Sequence, residues 1–332
     1  MQKKSILFVY VNFSSFVKSD CEILSSFANV TKYQFKPGKG IVKTGYSLFI
    51  QFLYLLINIW RYDNVFIWFS DYHSLLPVLF AKITGKRSII VIGGYEVARI
   101  KSLNYGALCS KIRGFFCITA IKSATLNLTV SGYVDRKLRY IAPRSNRKMI
   151  YNCVDIQPFS TSITAKEKLI LTVGLVENDR TFYLKGIDTF IELAKHLPHY
   201  RFLIIGMDEK KLKKQLKSVP CNLTILGRVP HDQLESYYLR SEYYFQLSRS
   251  ESFGVSVAEA MFYGCIPVVT NEGGLPEVVG TTGFIVKRDA LYISNLISSN
   301  IQNNSDFNKE ISSRSINLFS REKRAEKIKQ QF

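Results

Sequence analysis

Short apolar runs rich in β-branched residues recur along this chain of 332 residues, most of them followed by a segment with helical spacing. In the first half the runs are Ser5–Val11, Val30–Phe35, Val65–Ser70, Ser88–Ile92 and Ala124–Val130, with helical patterns at Ser14–Asn29, Tyr46–Trp60 and Leu75–Thr84. A polar stretch, Thr161–Lys168, separates this series from a second one. There the strands read Leu169–Val173, Phe202–Ile205, Leu223–Leu226, Tyr243–Leu247, Ile266–Val269 and Phe284–Val286. The helices between and after them read Gly186–His196, Asp208–Lys217, Asp232–Leu239, Val255–Tyr263 and Ala290–Asn300. Strand, helix, strand at this spacing predicts α/β architecture with parallel sheets. The halves are 1–160 and 161–315, and a charged helix over about 316–332 is expected to pack back on the first. Ligands of such sheets sit beyond the carboxyl ends of strands. In the first half that places Asp71, Tyr72 and His73, and Gly93, Gly94, Tyr95 and Glu96, at the mouth of a crevice.

Charge distinguishes the halves. The net charge is +19, and residues 1–160 carry 22 Lys and Arg against 7 Asp and Glu, giving +15. An excess of this kind attracts nucleic acid, an anionic membrane surface or a phosphate-bearing acceptor. No nucleic-acid motif and no dense basic helix is present, so nucleic acid is set aside. The segment Tyr46–Trp60 is mostly apolar but shorter than the roughly 20 residues of a membrane span. It is expected as a helix buried in its domain, with a helix leaning on a bilayer as the alternative. Six cysteines without a paired CxxC spacing argue against a zinc site and for a reducing, cytoplasmic setting. The N-terminal apolar run is too short for a signal peptide.

The stretch Arg249–Val269 carries the densest chemistry. It reads as a strand end, a polar turn with Gly254, a helix, Gly264 as its stop, and a new strand. Glu251 in the turn and Glu259 on the helix lie eight residues apart. The helix start between them offers free N–H groups and a positive dipole end, which suit phosphate. Gly254 removes a side chain where a ligand would come close. No Asp-x-Asp occurs, and no metal-ligating cluster is expected.

With its surroundings this stretch resembles the Glu-x7-Glu segment of retaining glycosyltransferases of the GT-B fold, in particular glycosyltransferase family 4 (glycosyl transferases group 1). Other pieces agree in order: Tyr151-Asn152-Cys153-Val154-Asp155 with Phe159, Val173-Gly174, Lys185-Gly186-Ile187-Asp188, Leu226-Gly227-Arg228-Val229, and Asn271 to Glu277 with Gly283-Phe284. The resemblance implies two Rossmann-like α/β/α domains facing each other across a cleft, an acceptor domain first and a donor domain second. It implies a nucleotide diphosphate sugar (UDP- or GDP-sugar) as donor and no cofactor or metal. The acceptor is expected to be a glycan, lipid-linked as in surface polysaccharide assembly, handled at the inner face of the cell membrane. Lys185 would be a fixed cation at the diphosphate, beside Gly174. Glu251 would face the sugar and Glu259 the ribose hydroxyls. Ser252, Phe253, Gly254 and Val255 would offer N–H groups to phosphate, and Arg228 and Val229 would touch the base. Catalytic roles fall to Lys185, Glu251 and Arg180.

The chain also departs from that pattern. Leu175 stands where the family usually has an arginine after the glycine, and Arg180 is either the replacement or a surface residue. Asn12-Phe13-Ser14-Ser15 replaces a Gly-Gly turn, and no histidine follows Gly93-Gly94. His73 is the first-half histidine left to contact acceptor; His196, His199 and His231 read as surface or cap residues. Whether Glu251 attacks the sugar or the acceptor enters on the leaving group's face stays open. A non-catalytic relative that binds nucleotide or glycan within an assembly is the alternative. A nicotinamide oxidoreductase would want Gly-x-Gly-x-x-Gly after the first strand, and Val9–Phe16 contains no glycine.

Overall fold

The computed structural model describes residues 3–38, 40–154, 166–208, 210, 219–299 and 305–332. The chain divides into two compact units, Met1–Asp155 with Arg321–Phe332, and Ile156–Ser320. Asp155, Phe159 and most of the expected linker lie outside the described residues, as does nearly all of the helix expected at Asp208–Lys217.

The first unit holds a six-stranded parallel sheet of β1 (Ser5–Tyr10), β2 (Asn29–Gln34), β3 (Asn64–Trp68), β4 (Arg87–Ile92), β5 (Leu126–Thr129) and β6 (Arg147–Met149). Its order is β2-β1-β3-β4-β5-β6. The interior strands β3 and β4 are buried almost throughout, so their apolar runs are continuous rather than alternating. Edge strand β2 is half exposed. The crossovers are α1 (Ser15–Ser25), α2 (Ile41–Asn58), α3 (Tyr72–Ile83), α4 (Lys111–Ser123) and α5 (Gly132–Ile141). Helix α2 packs on α3, and α3 on α4, forming one layer.

The second unit repeats the plan with β7 (Glu167–Val176), β8 (Arg201–Met207), β9 (Leu223–Leu226), β10 (Ser241–Gln246), β11 (Ile266–Thr270) and β12 (Phe284–Val286). The order β12-β11-β10-β7-β8-β9 reverses direction between β7 and β10. Helices α6 (Asp179–Leu184), α7 (Ile187–His196), α8 (Leu234–Arg240), α9 (Val255–Phe262), α10 (Leu275–Val279), α11 (Ala290–Ser299) and α12 (Ser305–Phe319) complete it. Helix α12 is tied to α9 by Ser312 Oγ donating to Phe262 O (2.6 Å) and Ser315 Oγ to Ala258 O (2.7 Å).

The chain returns to the first unit at Arg321 rather than near 316, through α13 (Arg321–Lys329). Arg324 is the anchor. Its Nε and Nη2 donate to the Asp20 carboxylate on α1 at 2.5 and 2.7 Å, and Nη1 donates to Ile150 O at 3.2 Å. Trp68 Nε1 donates to the same carboxylate at 2.9 Å.

Two expectations are corrected by the fold. Helices α4 and α5 occupy stretches that the apolar spacing leaves unassigned. The segment Tyr46–Trp60 is a helix but not a buried one. Only 17% of the window Val42–Arg61 is buried. By length and composition this helix could cross a membrane, with a mean hydropathy of 1.3.

Candidate functional site

In the second unit the chain leaves β7 on one side and returns to its other side as β10, so the two carboxyl ends diverge and leave a crevice between them. Gly174 lies near the end of β7, and residues 247–254 form the loop from β10 to α9. Lys185 comes from the turn between α6 and α7, and that turn is pressed against the end of β10. Arg249 N donates to Leu184 O at 2.8 Å. Gly186 has φ +71, and a Cβ there would lie 1.9 Å from Leu247 O, so glycine is demanded by conformation and by contact alike.

The result is a close pair: Lys185 Nζ donates to Glu251 Oε2 at 2.7 Å. Both side chains are partly exposed, at 27% and 20%. Glu251 Oε1 accepts from Ser252 N at 3.3 Å. A Cβ on Gly174 would be 3.8 Å from Lys185 Cδ and Cε, so the lysine stem lies over the glycine. Gly174, Lys185 and Glu251, distant in sequence, thus meet at the switch point.

Around them lies further charge that the sequence did not flag. Arg249 forms a two-point pair with Asp188, at 2.9 and 2.6 Å, and also bonds Tyr183 O. That pairing raises the arginine's pKa, while burial and the Arg249 charge lower that of Arg288. Arg288, just past β12, is therefore a second cation at the carboxyl edge of this sheet. Arg180 sits exposed in the first turn of α6. Beneath the crevice, Tyr244 OH donates to Val173 O (3.2 Å), Ser256 Oγ bonds Gln246 Oε1 (3.4 Å), and Gln246 Nε2 donates to Ser248 Oγ (2.6 Å).

Gly254 has a conformational reason of its own. It caps α9 with φ +95, and its Cβ would meet Leu275 Cδ2 at 2.8 Å. The left-handed backbone is what favours glycine here. Gly273 and Gly274 press on the same turn, and Gly274 N donates to Glu251 O at 2.9 Å. Helix α9 then starts without a side-chain cap hydrogen bond, so its first N–H groups carry the positive end of the dipole. The Phe253 ring points inward, edge-on to Phe319 at 5.1 Å.

Glu259 has other partners than Glu251 does. It is nearly buried, with His231 Nε2 2.8 Å from Oε1 and Tyr238 OH donating to Oε2 at 3.1 Å. Burial, reinforced by this carboxylate, drives the Tyr238 pKa well up. His231 is therefore no simple surface or cap residue: it aligns the carboxylate. Its position just after Leu226–Val229 was the available signal.

A cavity of about 350 Å³ opens beyond β7, β8 and β9. It is lined by Leu175, Glu177, Gly206, Asp208, Gly227 and Arg228 among others, and Val229 is not part of the lining. Among the described residues no group of three or more His, Cys, Asp or Glu is placed to hold a metal ion.

Of the acceptor candidates in the first unit, His73 and Glu96 are buried. His73 is 1% exposed; its Nε2 bonds Trp68 O at 2.9 Å, and burial lowers its pKa. An acceptor contact through His73 is thereby corrected, because its ring presents no surface. Glu96 is fully buried, and accepts from Ser70 N and Gly93 N at 3.1 Å and Gly94 N at 2.7 Å. It clasps the carboxyl-end loops of β3 and β4. Burial raises its pKa to about 7, against the lowering effect of those N–H groups. Gly93 is held under Phe69, whose ring a Cβ would meet at 2.2 Å, and Gly94 has φ +114. Tyr95 remains half exposed. Its hydroxyl accepts from Arg113 Nη1 at 2.8 Å, and Arg113 also pairs with Asp71 at 3.1 Å and lies over the Tyr72 and Tyr95 rings. The open chemistry at this edge is thus Arg113 between two aromatic rings.

Against known proteins, residues 154–316 match the family described as Glycosyl transferases group 1. The phosphatidylinositol N-acetylglucosaminyltransferase gpi3 subunit of Schizosaccharomyces pombe is 30% identical over 151 residues, covering 43% of this chain and 32% of that protein. The chain spans about a third of the length of the curated relatives it matches. Sucrose-phosphate synthase from Thermosynechococcus elongatus superposes with a TM-score of 0.78 at 16% identity, covering 99% of this chain and 98% of that one. HepE from Anabaena, solved with UDP and glucose, superposes with a TM-score of 0.73 at 15% identity over 99% of both chains.

Proposed function

We propose, for a chain that carries a glycosyl transferases group 1 domain on a GT-B fold, that it moves a sugar from a nucleoside diphosphate sugar to an acceptor hydroxyl, with retention at the anomeric carbon. The observation that carries this reading is the Lys185–Glu251 pair lying over Gly174 at the switch point of the second sheet. In the donor-free state each charge neutralises the other. A bound donor exchanges that pair for two contacts: its diphosphate takes the lysine, and its sugar hydroxyls take the carboxylate. As the bond from the anomeric carbon to the phosphate oxygen breaks, negative charge grows on the leaving diphosphate. A preplaced ammonium and the start of α9 stabilise that charge more than they stabilise the ground state.

The acceptor oxygen forms the new bond on the face the diphosphate leaves, and its proton passes to the departing phosphate oxygen. Atoms and charge balance without a covalent enzyme intermediate. With donor bound, the sugar hydroxyls and Ser252 N engage Glu251, and a carboxylate so engaged is a poor nucleophile, which favours this route over nucleophilic attack. Glu259, held by His231 and Tyr238, is the ribose acceptor, and the cavity bounded by Gly206, Gly227 and Arg228 takes the base. Lys185 and Arg288 supply the charge that a metal ion supplies in other transferases. A lipid-linked glycan fits the basic first unit, and a relative named for phosphatidylinositol supports a lipid-borne acceptor.

The experiment is a thermal-shift and calorimetric panel of UDP, GDP and ADP and their sugars on wild type, followed by nucleotide-release kinetics. Lys185→Ala should lower kcat/KM for donor turnover by about 10²–10³ and weaken nucleotide binding. Equal donor affinity in wild type and Lys185→Ala would remove the basis of the reading.

A further inference from the structure

Helix α2 turns most of its large apolar side chains outward. A helix on the surface of a water-soluble domain turns its apolar stripe inward and its polar stripe outward. Here the inward side is mixed: Leu55 and, just past the helix, Ile59 are buried, but they share that side with polar residues that find hydrogen-bond partners. Gln51 is fully buried and its Nε2 donates to His73 O at 3.0 Å. Ser47 Oγ donates to Lys36 O at 2.7 Å, Thr44 Oγ1 to Gly38 O at 3.1 Å, and the Tyr54 hydroxyl meets that of Tyr62 at 2.8 Å. The outward stripe holds Tyr46, Phe49, Ile50, Leu56, Ile57 and Trp60, all exposed. No charged residue occurs between Lys43 and Arg61.

We propose that this outer face lies in the interfacial layer of an anionic lipid bilayer, with the helix parallel to the surface. The polar bonds on its inner side fasten it to α3 and to the loops that flank β2 and β3, so it rests on the membrane rather than crossing it. Charge complementarity selects the occupant. The face belongs to a half-chain of net charge +15, with Lys43 and Arg61 at the helix ends. Such a field draws the surface toward acidic headgroups and sets two copies of this unit against each other. Tyr46 and Trp60 sit near the two ends, where amphipathic rings meet the headgroup level. On the same helical layer, Ile112 and Phe115 of α4 are also exposed. This inference does not rest on the sugar-transfer reading.

The chain carries its own probe. It has two tryptophans, and Trp68 is 1% exposed while Trp60 is 68% exposed. Tryptophan emission on vesicle addition therefore reports Trp60. Vesicles of phosphatidylcholine with about 30% phosphatidylglycerol, an anionic content chosen to exceed a neutral control, should pellet the protein, shift its emission to the blue and shield it from acrylamide. Phosphatidylcholine alone should do so weakly. Phe49→Glu with Ile57→Glu should lower partitioning by about tenfold or more, with unchanged circular dichroism and donor-nucleotide binding. Lys43→Gln with Arg61→Gln should lower it by about fivefold per charge, and the loss should vanish at high salt. Absence of vesicle binding by wild type overturns the proposal. So does a concentration-dependent dimer that Phe49→Glu with Ile57→Glu disperses while vesicle binding persists; that result would assign the face to a second copy.

Discussion

Arg324 offers the sharpest test of how the C-terminal helix is held. Its side chain is 2% exposed and its partner Asp20 is fully buried. Arg324→Met keeps much of the volume but removes both bonds to Asp20 and those to the carbonyls of Ile150 and Tyr151. The carboxylate keeps Trp68 Nε1 as a neutral donor, which does not balance its charge. An uncompensated buried carboxylate costs about 3–5 kcal/mol. In a unit of this size that corresponds to a fall in Tm of about 6–20 °C. The measurement is a thermal melt by circular dichroism, with proteolysis after Ser320 as a second readout of helix release. Asp20→Leu combined with Arg324→Met should recover most of the loss, because replacing both partners removes the stranded charge. A drop of less than about 1 kcal/mol for the single variant, or a double variant as unstable as the single, would show that the pair does not anchor α13.

Gly186→Ala should destabilise the second unit by at least about 2 kcal/mol, through its left-handed backbone and the approach to Leu247 O. Gly45→Ala, where nothing lies within 4 Å of the added Cβ and the site is helical, should instead gain up to about 1 kcal/mol in the same urea titration. Glu96 predicts a pH slope. Its folded pKa, about 7, lies above the ordinary value of 4.5, so the folded state binds more protons between those values. This contribution is fully present below pH 4.5 and is lost as pH rises through about 7, an effect on the order of 3 kcal/mol. Glu96→Gln should flatten that slope in pH-dependent unfolding, whatever its offset, and an unchanged slope would refute the assignment.

Much of the candidate site was legible because its residues are local to short motifs. Lys185-Gly186 and Glu251 to Gly254 could be read as turn, glycine and helix start, and the fold brings them to one point. What could not be read were pairings across many residues: His231 with Glu259, Arg249 with Asp188, and Arg324 with Asp20. His73 and Glu96 lay at the right strand ends but turned inward, since a strand end places a residue near a crevice without choosing which way its side chain faces.

Periodicity alone determined the α/β class and the two halves, because burial on both faces of parallel strands leaves continuous apolar runs that survive without any tertiary information. Composition alone determined that the first half is basic. Only the tertiary structure decided the orientation of α2. The spacing of its apolar residues says that a helix forms, but an apolar helix is equally consistent with a core position and an exposed one. The deciding fact is that Gln51, Ser47 and Tyr54 find their hydrogen-bond partners in α3 and the neighbouring loops, which commits Tyr46, Phe49, Ile50, Ile57 and Trp60 to the outside.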